Sequence, residues 1–297
     1  MGHGKWSNEN YADYAVNTSS LSRSALYHKR GKDDVSKSGQ RVNVEEIPYR
    51  ESRDSESNPL STPVIVALDV TGSMGMIPER LTKEGLGTFV GQMLEREPIQ
   101  DPHICFLGIG DAVQNDRAPL QATQFEADNC ICEQLTDLWL EGGGGGNHFE
   151  SYDLAWAFAA YKTRTDAWDK RKEYGYLFTV GDEEFPQSTS STYLKDTFKD
   201  DCPQSPTPES LLKDAQERYR VFHVIIAEGS YASRNLPKTT SSWQQRLQKR
   251  VLVLDNYECL PELLVSVMAV DKGQSLEDVL EWWDTNVAES IKRAIEE

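Results

Sequence analysis

The sequence predicts an α/β protein built on a doubly wound, mostly parallel sheet with one antiparallel edge strand. Three observations carry that expectation. The run Val64-Ile65-Val66-Ala67-Leu68 is short, apolar and largely β-branched without alternation, the pattern of a strand buried on both faces. Strand-like runs then alternate with stretches of helical periodicity as far as the C-terminus, which is the signature of repeated βα units. Residues 103–110 and 120–126 interrupt the alternation, because two strand-like runs follow one another with no helix between them.

Each element has a local reason. Pro78 suits the first turn of a helix over residues 78–95, where Leu81, Leu86, Phe89, Val90, Met93 and Leu94 return at helical spacing. A short helical segment at 132–140 ends at the five glycines of 142–146. A helix at 150–162, a strand at 174–179, a helix at 208–219 opened by Pro208 and a strand at 220–227 follow. Residues 243–248 read as helix, 250–255 as the last strand, and 260–270 and 275–296 as closing helices. In the last of these, Ser275 and Asp278 stand at capping-box spacing, while Leu276, Val279, Leu280, Trp283, Val287 and Ile291 share one apolar face.

Residues 1–60 are set apart as a polar arm, rich in Ser, Asn, Arg and Asp and without apolar periodicity beyond Tyr11, Tyr14 and Val16. The arm is expected to be partly extended or disordered, acting either as a leader or as a segment that wraps the following domain or docks on a partner. Residues 61–297 are expected to form one domain that includes the C-terminal helices.

Composition narrows the partners. The chain has 31 Lys and Arg against 48 Asp and Glu, a formal net charge of -17 over 297 residues, which repels phosphate backbones and anionic headgroups. No nucleic acid is therefore expected as partner. The first residues lack the apolar core of a signal peptide, and no window approaches the roughly 18 apolar residues of a membrane span, so no membrane insertion and a cytoplasmic location are expected. The five cysteines are odd in number and scattered, which suits free thiols in a reducing compartment.

In a doubly wound sheet, ligands bind outside the carboxyl ends of the strands where the strand order reverses. Asp69, Asp111 and Asp182 each follow a strand, so all three are expected at one edge. Asp69, Thr71 and Ser73 put a carboxylate and two hydroxyls at alternate positions of the turn after the first buried strand, with Gly72 and Gly75 allowing tight folding. A hard divalent cation such as Mg2+ takes oxygen ligands, keeps several waters and touches only one or two carboxylates, which this set can supply. The same residues could instead make a turn whose hydroxyls cap the helix at Pro78.

The stretch VIVALDVTGSMG, Val64 to Gly75, resembles the first strand and metal-ion-dependent adhesion site of von Willebrand factor A (VWA) domains, with Thr71 in place of the usual serine. The run Gly142 to Ser151, GGGGGNHFES, is similar to the GGGDxPE loop of the hemicentin and alpha-kinase branch, with Asn147 at the first acidic position, Glu150 at the glutamate and Phe149 in place of proline. Residues 50–59 resemble leaders of uncharacterised bacterial and phage members. The resemblance covers about residues 62–256. It implies a Rossmann-like VWA fold holding Mg2+, with Mn2+ or Ca2+ as substitutes, through Asp69, Thr71, Ser73, Asn147 and Asp182. Asp111, Glu150, Ser151 and Glu183 would form the outer shell or rim. The third loop reads Thr179-Val180-Gly181-Asp182-Glu183 where the family has Thr-Asp-Gly, so either Asp182 or Glu183 is expected to reach the ion from a shifted turn. The implied function is protein binding, with a partner's Asp or Glu carboxylate completing the coordination, and not an enzymatic one.

An enzyme of another class shares part of the pattern. DVTGS is similar to the DKTGT phosphorylation loop of haloacid dehalogenase-like ATPases, in which the Asp69 position would be a phosphoryl-accepting nucleophile. Val70 replaces the lysine of that loop, and Pro186 stands where a second carboxylate is required. The glycine run is no dinucleotide loop, since it follows a helical segment and not the first strand.

Overall fold

The computed structural model describes residues 42–81, 85–114, 116–128, 130–135, 137–140 and 149–296. In chain order the strands are β1 (Arg50–Ser52), β2 (Thr62–Asp69), β3 (Pro102–Ile109), β4 (Leu120–Ala122), β5 (Thr163–Thr165), β6 (Gly175–Gly181), β7 (Tyr219–Ile226) and β8 (Val251–Leu254). The helices are α1 (Ile77–Arg80), α2 (Leu86–Arg96), α3 (Cys130–Leu135), α4 (Tyr152–Tyr161), α5 (Asp166–Arg171), α6 (Ser191–Phe198), α7 (Pro208–Gln216), α8 (Ala232–Leu247), α9 (Leu260–Asp271), α10 (Leu276–Leu280) and α11 (Thr285–Glu296). The central sheet has the order β4-β3-β2-β6-β7-β8, parallel throughout except for the antiparallel edge pair of β3 with β4. This is the doubly wound, mostly parallel α/β sheet that the sequence predicts. The chain proceeds outward from β2 to one edge and then returns to β6 on its other side, so the order reverses between β2 and β6.

Alternation along the strands divides the core into two layers. Val64, Val66 and Leu68 of β2, with Tyr176, Phe178 and Val180 of β6, pack under α2, α9 and α11. Ile65 and Ala67 of β2, with Leu177 of β6, meet α4, α7 and α8 on the opposite face. Both faces are covered, which explains why β2 and β6 read as continuous apolar runs. No helix among the described residues is long and apolar enough to cross a membrane. Cys105, Cys202 and Cys259 are free thiols.

The described part of the N-terminal arm is ordered. Val42, Val44 and Ile47 are buried, and Ala122 N–H donates to the Val42 carbonyl at 2.9 Å, so this strap runs along the outside of β4. β1 pairs in parallel with β5 as a separate small sheet, and Arg53 and Arg171 bind Asp166 and Asp54 beside it. An exposed strand edge is thereby closed. Tyr11, Tyr14 and Val16 lie outside the described residues.

Several boundaries differ from the sequence expectation, for identifiable reasons. The last helix is divided, because Asp284 accepts the N–H groups of Asn286 and Val287 and caps α11 as a new start. The strand expected over 120–126 is only three residues long, and pairing resumes at the isolated bridge of Ile104 with Glu126. Helix α8 begins eleven residues before the expected 243, since Pro237 and a Ser/Thr-rich stretch hide a buried stripe of Thr239, Trp243 and Leu247. α5 and α6 are too short and polar to show periodicity.

Helix α7 starts as its sequence demands. Pro208 occupies the first turn, the Thr207 hydroxyl accepts Ser210 N–H at 3.2 Å, and Ser210 Oγ accepts Thr207 N–H at 2.9 Å. Thr207→Ala is expected to cost about 1 kcal/mol of stability, read as a lower urea midpoint with an unchanged slope.

Candidate metal centre at the carboxyl edge of the sheet

Register delivers the first carboxylate. Leu68 pairs with Val180, so the next residues, Asp69 and Gly181, stand side by side where the strand order reverses. Asp69 has the parity of Ile65 and Ala67 and faces the α4 layer, fully buried. Its Oδ1 accepts the N–H of Thr71 at 2.9 Å and the hydroxyl of Thr71 at 2.6 Å, the self-closing turn that Asp favours two residues ahead. The chain then makes one 3-10 turn, Gly72–Met74, and Gly75 leaves it at a φ of 57°, a conformation that suits glycine.

The turn after β6 supplies the second carboxylate. Ser73 donates its hydroxyl to Asp182 Oδ1 at 2.7 Å, and the Tyr231 N–H donates to Asp182 Oδ2 at 2.8 Å. Asp69, Thr71, Ser73 and Asp182 therefore form one connected chain of side chains. The loop after β7 closes over them: Ser230 N–H donates to the Ser73 carbonyl at 3.1 Å, and Gly229 lies against Asp182. Tyr231 also donates its hydroxyl to Glu184, whose Oε1 accepts Lys238 Nζ at 2.7 Å on the rim.

The remaining expected residues take different places. Asp111 Oδ1 accepts Val113 N–H at 2.7 Å and Gln114 N–H at 3.2 Å, closing its own loop, while Ser151 Oγ accepts Ala112 N–H at 3.0 Å and lies 3.5 Å from Asp111. Glu150 and Glu183 are buried beside Asp69, and each has one carboxylate oxygen, Oε2, without a hydrogen-bond partner. Asn147 lies outside the described residues, as does the glycine run before it.

Electrostatics follow from this crowding. Burial, and then Asp182, push Asp69 above the usual carboxylate range against the hydrogen bonds of Thr71 and Tyr152. Burial, and then Asp69, Glu183, Asp111 and Asp116, raise Glu150. Glu183 is pushed up to about 8 by burial and then by Asp69 and Asp182, and burial raises Asp182 as well.

Three contributors escaped the sequence reading. Tyr152 reaches Asp69 from the first turn of α4, where its spacing looks like core packing. Gly229 and Tyr231 act through the backbone, and backbone donors have no side-chain signature. The carboxyl end of a further strand, β7, was the available signal.

Among the described residues, no group of three or more His, Cys, Asp or Glu side chains is arranged to hold a metal ion by itself. The hydroxyls decide whether an oxygen-seeking cation fits. Thr71 gives its one proton to Asp69 and Ser73 gives its one proton to Asp182, so their oxygens face each other at 3.2 Å with lone pairs and no proton between. Adjacent ligands of an octahedral Mg2+ with bonds near 2.1 Å lie about 3 Å apart. The donor set fits such an ion.

No protein-family model matches the chain, and no curated protein matches it in sequence. Among solved structures it is similar to the pilus adhesin SpaC from Lactobacillus rhamnosus GG in its open conformation, with 8% identity over 75% of this chain and 31% of that one, at a TM-score of 0.44. It is also similar to a von Willebrand factor type A protein from Catenulispora acidiphila, with 12% identity over 72% of this chain and 43% of that one, at a TM-score of 0.40. Each match thus spans less than half of the relative's own length.

Proposed function

We propose that this edge is a divalent-cation site of the VWA type, selective for Mg2+ with Mn2+ or Ca2+ as substitutes, through which the protein binds a partner presenting an Asp or Glu carboxylate. The observation that carries the reading is the pair of hydroxyl oxygens, Thr71 Oγ1 and Ser73 Oγ, turned toward each other at 3.2 Å with both protons committed to carboxylates. Asp69 and Asp182 would hold the hydroxyls in place, and Asn147 is proposed as a further ligand from the resemblance of its sequence. The orphaned oxygens of Glu150 and Glu183 add negative charge that a cation would offset. A bound cation converts an acidic surface into one that attracts a partner carboxylate through a charge-assisted contact. Nothing favours the phosphoryl-transfer alternative: Val70 stands where that loop has its lysine, and Pro186 where a second carboxylate is required.

Isothermal titration of the full chain with Mg2+ and with Mn2+ tests the reading. The wild type is expected to bind and Asp69→Ala to lose binding by at least about tenfold; equal heats from the two proteins would sink the metal site. Partners recovered with Mg2+ are expected to be lost on chelation.

A further inference from the structure

The fixed lone pairs of Asp69 carry an inference that rests on the metal reading and goes beyond it. Oδ1 already accepts two donors from Thr71, which fills its two acceptor sites. Oδ2 accepts the Tyr152 hydroxyl at 3.0 Å, which leaves Asp69 a single acceptor site for anything in the pocket. Tyr152 cannot easily turn away. It is fully buried, with its ring edge-on to His223 at 5.2 Å and to Trp243 at 5.3 Å, and Trp243 Nε1 is in turn anchored on the Glu183 carbonyl at 2.9 Å. The path of the hydroxyl is also built into β6: a Cβ at position 181 would lie 1.9 Å from Tyr152 Oη, so only glycine beside Asp69 lets the phenol reach it.

We propose that Tyr152 is a positioning residue that sets cation selectivity, by clamping the Asp69 carboxylate at its second oxygen so that it cannot turn. Mg2+ demands near-ideal octahedral geometry and is served by a carboxylate offering one lone pair, directly or through water. Ca2+ accepts six to eight oxygens and readily takes both oxygens of one carboxylate. Thr71 fills Oδ1 and the phenol holds Oδ2, so the carboxylate cannot turn to give both oxygens to one ion, and the smaller ion is favoured. Without it, the carboxylate is held at Oδ1 alone and can turn, exchanging a Thr71 hydrogen bond for two-oxygen contact with a larger ion.

The test is titration of the full chain with Mg2+ and with Ca2+, for wild type and Tyr152→Phe, each checked for folding by thermal melting. Tyr152→Phe is expected to lose about tenfold in Mg2+ affinity, the usual cost of a lost outer-shell hydrogen bond, while Ca2+ affinity changes by less than about threefold or rises. A Mg2+ to Ca2+ ratio equal to that of wild type would overturn the inference and leave the metal reading intact. A wild type that binds neither ion would overturn both. Should the phenylalanine variant not fold, Tyr152→Met, which also lacks the hydroxyl, carries the same expectation about the ratio and the same outcome against it.

Discussion

Gly229→Ala is expected to abolish measurable Mg2+ binding without replacing any side chain of the site. A Cβ at that position would lie 2.2 Å from the Cβ of Asp182 and 2.5 Å from its Cγ and Oδ2. These are not distances that a flexible side-chain tip can relieve, because Asp182 is fully buried and held on both oxygens, by Ser73 and by the Tyr231 backbone. Either the carboxylate or the loop after β7 must give way. Overpacking of this kind costs about 1–3 kcal/mol of stability, and displacement of Asp182 also frees the Ser73 proton, removing the lone-pair orientation on which the cation reading depends. The measurement is paired calorimetric titration and thermal melting. Wild-type affinity in a folded Gly229→Ala protein would mean that Asp182 has no part in holding the ion.

The second large effect is a reversal in the pH dependence of stability. In chelator, the protein is expected to lose stability as the pH rises between about 5 and 8. The sign follows from the acids at the sheet edge: burial raises Asp69, Glu150, Asp182 and Glu183 in the folded state, and repulsion from neighbouring acids adds to it at Asp69, Glu150 and Glu183, so the folded protein holds protons that the unfolded chain has already released. The contribution of Glu183 is fully present below its unfolded value of 4.5 and is lost as the pH passes through about 8. At about 1.4 kcal/mol per unit, this amounts to a few kcal/mol, a large share of the stability of a typical domain. Asp166 works in the opposite direction, but below this window. Burial alone would raise it, yet hydrogen bonds from Lys170 and Arg53 pull it down to about 2, so its support is present above 3.8 and lost only as the pH falls toward 2. Saturating Mg2+ should flatten or invert the decline by favouring the charged forms. Melting temperatures in chelator that stay level or climb over the same range would contradict the account.

How much of this could be read from residues alone depended on how local the cause was. The first buried strand and the antiparallel edge pair were legible because Val64 to Leu68 and their successors carry their burial in composition. The hydrogen-bonded turn of Asp69, Thr71 and Ser73 was legible because its three side chains lie within five residues. Asp182 was harder, since Val180 occupies the position where the acid is usual; the structure buries Val180 in the α2 and α9 layer and brings Asp182 to Ser73 from two residues on. Tyr152 could not be singled out, because a tyrosine on an otherwise apolar helix looks like any core aromatic until β6 places a glycine under its hydroxyl. The strap at residues 42–47 was invisible for a related reason: three apolar residues among polar ones become a pattern only when β4 is present to receive them.

The position of β2 beside β6 has a kinetic consequence. Val64 pairs with Tyr176, and Ser73 meets Asp182, across more than a hundred residues of intervening chain. Parallel pairings of such separation must close a long loop before their contacts reward it, which places them among the slowest to form. The first loop and the turn after β6 thus become neighbours only when the chain has completed its outward path and returned. A cation bridging them would have nothing to bind in an early collapsed state, so it can act as a lock on the finished sheet and not as a guide to its assembly.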